Sequence, residues 1–440
     1  LTEHFGAKQA FIVGLITFVI SSYLCGVAWN IESLIAFRVI QGVGGGILTP
    51  VGMTLFTTEF PKENRTIPLG FYSIAIAAAI SLGPAVGGYL IEWINWKWIF
   101  FINLPIGVVT FLFAAAILKR TYRKEIHAFD KWGLITLTGF LVLLFVGISS
   151  GNAPWNAEGW TSTFTLVSFL ISGTCLIFFL AIEFSHPFPI VDLRIFRDRN
   201  FLMGNIVLFV FSFTLFGSSF LLPLYMQNGL DYSQIRTGLV LLPLGLSQCF
   251  FGAISGWMTR KVPPMFLVLC GIVVLGITYQ YNSEFTLYTS ERSMVWLFIV
   301  RGAAMGFLFA PLLAITMGKI TEEKLSQASG LFTVQRQIGA ALGVAVFETI
   351  FTNRQVFHTA AVGGKIDTSS PAFEQVNQNI AQTSMADFGH SPLEAMATAQ
   401  QFILEFVQNK VFIQSIGDCL LLAGIITFFS AIPLFFLKKK

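Results

Sequence analysis

Leu82-Gly83-Pro84-Ala85-Val86-Gly87-Gly88 lies inside an apolar segment, Ile67 to Ile91, that carries no charged residue and is long enough to cross a bilayer. In a water-exposed helix each glycine would cost roughly 1 kcal/mol against alanine, and the proline about 3 kcal/mol. In a membrane helix such residues are tolerated where a neighbouring helix presses close or where the backbone bends. The stretch therefore predicts a spanning helix that packs tightly and kinks. That is a demand on a protein that moves more than on a simple anchor.

Working outward, similar apolar segments recur along almost the whole chain. Of 440 residues, 55% are hydrophobic and 11% charged, and the mean hydropathy is +0.73. Soluble domains carry about 25% charge. The pattern is that of an all-α polytopic membrane protein, because a β-barrel would show short alternating segments. Twelve spans are expected, at about 10–28, 33–57, 67–91, 98–118, 132–150, 162–182, 201–227, 235–257, 264–282, 293–318, 328–352 and 412–437. Eighteen of the 27 Lys and Arg fall at the two ends and in the loops of the same side, six fall in the opposite loops, and Arg38, Arg301 and Arg336 fall inside spans. The positive-inside rule then puts both ends of the chain in the cytoplasm of a multi-pass (inner) membrane protein. The segment 353–411 is polar and rich in Ala, Gln and Asn, with helical character from Pro392 to Lys410. It is either a solvated excursion on the outer side or a docking surface for a partner.

Several chemistries find no support. The five cysteines (Cys25, Cys175, Cys249, Cys270, Cys419) all lie in apolar spans without a C-x-x-C pair, so neither a metal nor a disulfide framework is expected. There is no phosphate-binding Gly-x-x-x-x-Gly-Lys loop, no His-Glu-x-x-His and no nucleophile elbow, so ATP-driven and enzymatic readings are set aside. No cofactor and no nucleic-acid partner is expected. No cleavable signal peptide is visible, and the chain opens on Leu1 in a polar loop, which suggests further sequence ahead of it.

An internal repeat is legible in the glycines. Gly42, Gly46, Gly70 and Gly83 match Gly302, Gly306, Gly330 and Gly343 at a constant offset of 260, with Pro50 near the mate of Pro311; Gly14 and Gly271 match at 257. Parallel repeats build many secondary transporters, with the site between the halves near the midplane. The spans at 132–150 and 162–182 have no mate and read as an inserted pair.

These residues carry a resemblance. Leu82-Gly83-Pro84-x-x-Gly87-Gly88 is similar to the antiporter motif of the major facilitator superfamily, and Arg38-Val39-Ile40-Gln41-Gly42 to its Arg-x-x-Gln-Gly motif. Trp96 to Gly107, Pro189-Ile190-Val191-Asp192-Leu193, Phe196-Arg197-x-Arg199-Asn200-Phe201 and Thr352-Asn353-Arg354 resemble the fourteen-span drug:proton antiporters of the EmrB/QacA type. The resemblance implies a major facilitator fold with two six-helix bundles plus the inserted pair, twelve spans here and fourteen in the full chain. It divides the chain into 1–120, an N-terminal bundle whose first two helices are missing; 121–190, the inserted pair and its linkers; and 191–440, a C-terminal bundle with the loop 353–411. Leu1 to Lys8 resembles the tail of the family's gating loop, with Glu3, Gly6 and Lys8 kept and two cations replaced by His4 and Ala7, which weakens its expected salt bridges.

A charge at the bilayer centre costs roughly 2.5–3.5 kcal/mol on insertion scales, so embedded charges are candidates for function. The resemblance assigns Arg38 to proton coupling, against the plain alternative of a structural bridge between helices. Asp418 and Glu348 are candidate protonatable groups near the outer ends of their helices; the plain alternative for Glu348 is an interfacial charge in water. Arg336 and Arg301, which sits at the mate of Gln41, are candidates for binding or structure. Among 47 Phe, the set Phe216, Phe220, Tyr225 and Gln227 on one helix is expected to supply part of a substrate cavity suited to lipophilic molecules. The expected activity is proton-coupled multidrug efflux by alternating access, with the proton gradient as the energy source and small-molecule drugs or metabolites and membrane lipid as partners. A Gram-negative host would add a periplasmic adaptor of the EmrA type and an outer-membrane channel. Export of a natural siderophore, lipid or metabolite, and a non-transporting scaffold, are the alternatives.

Overall fold

The computed structural model describes residues 6–58, 66–118, 130–151, 153, 155–186, 193–318, 320–321, 324–364, 367, 369–388 and 390–437. Within these, regular structure is helical throughout. In chain order the helices are α1 (Ala7–Gly26), α2 (Ile31–Thr58), α3 (Thr66–Trp93), α4 (Trp98–Ile117), α5 (Lys131–Ser150), α6 (Thr163–Ser185), α7 (Arg199–Gly229), α8 (Gln234–Met258), α9 (Pro264–Ser283), α10 (Glu291–Met317), α11 (Leu325–Gly363), α12 (Pro371–Phe388) and α13 (Pro392–Phe429). Eleven described helices are long and apolar enough to cross a membrane, and the 28-residue α3 stands where the sequence places the remaining span.

Helix starts follow from local chemistry. Asp130, Ser162, Asp198, Ser233 and Ser290 each accept a bond from the backbone N–H three residues on, and Ser391 closes a capping box with Glu394. A Cβ at Gly133 would press on the Asp130 carboxylate that accepts from its N–H, so a larger residue there would shift the cap.

The excursion at 353–411 is not a loop. Helix α11 has 39 residues and α13 has 38, each roughly 57 Å long against a hydrocarbon core of about 30 Å. Both continue out of the apolar region as helix, and α12 packs against α13 there. In the turn before α12, Asp367 accepts from the Ser369 hydroxyl and amide, at 2.6 and 2.9 Å, which holds its carboxyl below the usual carboxylate range.

The repeat is visible in the packing. Helix α1 crosses α2 where Gly44 meets the Gly14 carbonyl, and α9 crosses α10 where Gly271 meets the Ala304 carbonyl. These are the same positions at offsets of 257 and 260. Gly302 and Gly306 of α10 lie against the α8 backbone, and Gly343 of α11 against Phe213 of α7. Their mates Gly42, Gly46 and Gly83 meet nothing within 4 Å.

The two halves meet where α3 packs on α8 and α2 on α11, while α5 and α6 form a pair that touches α11. At the α3–α8 crossing Gly88 lies against the Gln234 carbonyl, and Gly238 against Pro84 and Ala85; a Cβ at either glycine would come within 2.6 Å of backbone. Gly87, like Gly83, meets nothing within 4 Å. Of the three glycines in the Gly-Pro-x-x-Gly-Gly stretch, Gly88 alone makes such a close contact, and the Pro84–Ala85 backbone makes the other. The same end is tied by Glu92 Oε2, which accepts from the Ile235 N–H at 3.1 Å, and by Arg236, whose Nη2 donates to Glu291 at 2.7 Å.

Candidate functional site

Helix α2 carries Arg38 and Gln41 three residues apart, hence on one face. Arg38 Nη1 donates to Gln41 Oε1 at 3.0 Å, and Gln41 Nε2 donates to Ser22 Oγ on α1 at 2.7 Å. Ser22 passes its own proton to the Phe18 carbonyl at 2.7 Å. The guanidinium also stands 4.7 Å from the centre of the Phe100 ring on α4. A buried amide thus fixes a partly exposed cation through three helices. Ser22 was not singled out by the sequence, because it stands nineteen residues from Gln41.

Arg38 and Gln41 border a cavity of about 610 Å³ between the halves. Gly42, Gly46 and Thr49 continue its wall along α2; Thr333, Val334 and Gln337 of α11 face them, and Leu141 and Phe145 of α5 close a side. The lining is mostly apolar with a few polar groups, and its Gly42 and Gly46 wall is the side of α2 whose counterpart in α10, at Gly302 and Gly306, is covered by α8. Gln337 borders it, whereas Arg336 does not.

The repeat places a second polar cluster in the other half. Arg301 on α10 is fully buried. Its Nη2 donates to Ser218 Oγ at 2.7 Å and to Tyr279 Oη at 3.1 Å, and its guanidinium lies 4.4 Å from the Tyr279 ring centre. Tyr279 Oη in turn reaches the Thr214 carbonyl at 3.1 Å. Gln41 and Arg301 are mates at offset 260, and Ser22 and Tyr279 at 257, so the two halves make the same helix-to-helix bond from matching positions. The offset already on view in Gly14 and Gly271 would have found Tyr279 from Ser22.

Asp418 on α13 faces α11. Its Oδ2 stands 2.8 Å from His358 Nε2 and 3.4 Å from Arg354 Nε. Arg354 belongs to the Thr352-Asn353-Arg354 stretch; His358 was missed, although it lies one helical turn further on the same face. Glu348 is exposed and its side chain has no partner among the described residues.

The remaining expected residues scatter. Tyr225 is buried, donates to the Thr286 carbonyl at 2.7 Å and stacks on Phe285; it opens a single π-helical turn through Gln227 to Gly229. Phe216 and Phe220 pack on the core of the second half. None of these four borders the cavity. Gly6 has a positive φ of 80° at the start of α1, and Lys8 Nζ donates to the Ala115 and Leu118 carbonyls at 2.8 and 2.6 Å. Lys8 therefore caps the C-terminal end of α4, where a cation is favoured. Glu3 lies outside the described residues.

Comparison with known proteins agrees with this architecture. The model of the Major Facilitator Superfamily matches residues 1–344. Multidrug export protein EmrB of Haemophilus influenzae is 30% identical over 419 residues, 94% of this chain and 80% of that protein. EmrB of Escherichia coli K12 is 28% identical over 434 residues, 97% of this chain and 83% of that protein. Among solved structures, the peptide transporter POT superposes with a TM-score of 0.56 at 16% identity, over 100% of this chain and 83% of that one. This chain is a polytopic membrane transporter of small molecules that belongs to the Major Facilitator Superfamily, with multidrug exporters of the EmrB type among its relatives.

Proposed function

We propose that the protein exports lipophilic or amphipathic small molecules in exchange for protons, by alternating access between its two halves. The observation that carries this reading is Arg38, a guanidinium held by Gln41 at the wall of the cavity between α2 and α11. A fixed cation lowers the proton affinity of a nearby carboxylate while burial raises it, so a carboxyl that moves between the two environments loads and releases a proton. Asp418, and less directly Glu348, serve as protonatable groups on the outer side. The α3–α8 crossing at Gly88 and Gly238 acts as the pivot and as the barrier to proton leak. The chain works as an N-terminal bundle (1–120), an inserted pair (121–190) and a C-terminal bundle (191–440), in an inner membrane with both ends of this chain cytoplasmic.

The helical excursion of α11, α12 and α13 suits contact with an adaptor of the EmrA type in a Gram-negative host, leading on to an outer-membrane channel. The test is transport in everted vesicles with an imposed pH gradient. Substrate accumulation that rises with the gradient and collapses with an uncoupler supports proton exchange; accumulation indifferent to the gradient rules it out. Arg38→Ala is expected to abolish the gradient-driven component while the protein stays folded.

A further inference from the structure

The Gln234–Ile235 peptide at the start of α8 is held from the opposite half at both of its ends. Its carbonyl lies against Gly88 of α3, and its N–H donates to Glu92 Oε2 at 3.1 Å. Gly88 and Glu92 are four residues apart, on one face of α3. Helix α8 has no acidic residue in its own first turn. Its N-cap Ser233 accepts from the Arg236 N–H, which leaves the Ile235 N–H to Glu92. An anionic acceptor at a helix N-terminus satisfies an orphan donor and complements the helix dipole. Glu92 thus supplies, from the first half, an anionic cap that α8 does not carry itself.

The surroundings suit a contact that is made and undone. Arg236, next in sequence to Ile235, is engaged within its own half. Its Nε and Nη2 donate to Glu291 Oε2 of α10 at 3.1 and 2.7 Å, and its guanidinium stands 4.0 Å from the centre of the Tyr232 ring. The charged pair therefore ties α8 to α10 inside the second half, whereas Glu92 reaches across the halves to a backbone N–H through a single hydrogen bond. That bond is exposed. When it parts, water replaces each partner, so no buried polar group is left unsatisfied.

We propose that Glu92 is a gating residue. It caps α8 while the outer ends of α3 and α8 lie together, releases it when the outer mouth opens, and so sets the ratio of the two states. This rests on the alternating-access reading above and adds to it the group that latches the outer side.

The test is the separation of the outer ends in the purified full chain in lipid nanodiscs. It is read by pulsed electron paramagnetic resonance between spin labels at Ile94→Cys, just beyond α3, and Tyr288→Cys, between α9 and α10. Both positions are exposed. The chain without these two substitutions, treated with the same label, serves as the blank for the native cysteines. The labelled pair is expected to show a near and a far separation. Glu92→Ala should raise the far-to-near ratio about fivefold, the effect of losing a helix cap. Glu92→Met keeps the length of the side chain without its acceptor; it should do the same, and it decides the matter if Glu92→Ala does not fold. An unchanged ratio in a folded variant, or a single separation in the labelled pair, overturns the proposal. A shifted ratio in a chain that transports nothing in vesicles keeps the latch and loses the export reading. Gradient-driven transport with an unshifted ratio does the reverse.

Discussion

At the scale of the residue, the two halves use one bond for two purposes. In the first, Gln41 spans from Ser22 to Arg38 and fixes a cation at a cavity wall. In the second, Arg301 occupies the place of Gln41 and is itself the cation. Gln41→Leu removes the acceptor that orients Arg38 and the amide that donates to the Ser22 hydroxyl. A hydrogen bond to a charged group contributes about 1.5–3 kcal/mol, so gradient-driven transport in everted vesicles should fall on the order of tenfold or more at unchanged protein level. Ser22→Ala should be milder, because Gln41 still holds Arg38. Arg38, Gln41 and Arg301 were legible as embedded polar groups in apolar segments. Ser22, Tyr279 and Ser218 were not, because a lone hydroxyl in a membrane helix carries no signal until its partner across the helix pair is known.

At the scale of the element, the glycines divide by what they touch. Gly88 and Gly238 are each met by the opposite backbone, whereas Gly83 and Gly87 are met by nothing within 4 Å. Gly88→Ala must therefore push α3 off α8, and we expect loss of transport together with a lower melting temperature in detergent. Gly83→Ala should leave the melting temperature unchanged or raise it slightly, since alanine favours helix by roughly 0.5–1 kcal/mol. Equal effects of the two substitutions on melting temperature would show that helix propensity, not the crossing, governs these positions. The sequence told that the stretch packs closely; it did not tell which glycine, because that depends on a neighbour about 150 residues away. In the excursion at 353–411 the helix from Pro392 was legible, whereas the continuation of α11 to Gly363 and the helix α12 were not, for a related reason. Hydropathy falls where a helix leaves the bilayer, but the Ala, Gln, Glu and Met that follow sustain helix as well as any apolar residue does. The end of an apolar run marks the edge of a membrane, not the end of a helix.

At the scale of the whole molecule, the charge asymmetry makes a prediction about sidedness. All five native cysteines are buried or half-buried within spanning helices. Val376→Cys, on the exposed face of α12, should therefore react with a membrane-impermeant maleimide in spheroplasts from which the outer barrier has been removed. Lys261→Cys, in the turn between α8 and α9, should react only in everted vesicles. The opposite pattern would reverse the assigned orientation and, with it, the direction of transport. Fold class, span order and the two-fold repeat were all legible at this scale, because bilayer thickness writes its period into the chain. How the halves meet was not: the crossing of α3 with α8 joins segments that the glycine offset does not pair.

The matched bonds from Gln41 to Ser22 and from Arg301 to Tyr279 also make the halves partly interchangeable parts. A duplicated scaffold has kept one socket between two helices and changed what is plugged into it. Exchanging the plugs, Gln41→Arg with Arg301→Gln, would move the buried charge from one half to the other while leaving composition and net charge untouched. If charge polarity across the pseudo-twofold axis sets which side releases cargo, this exchange alters directionality without altering a single helix.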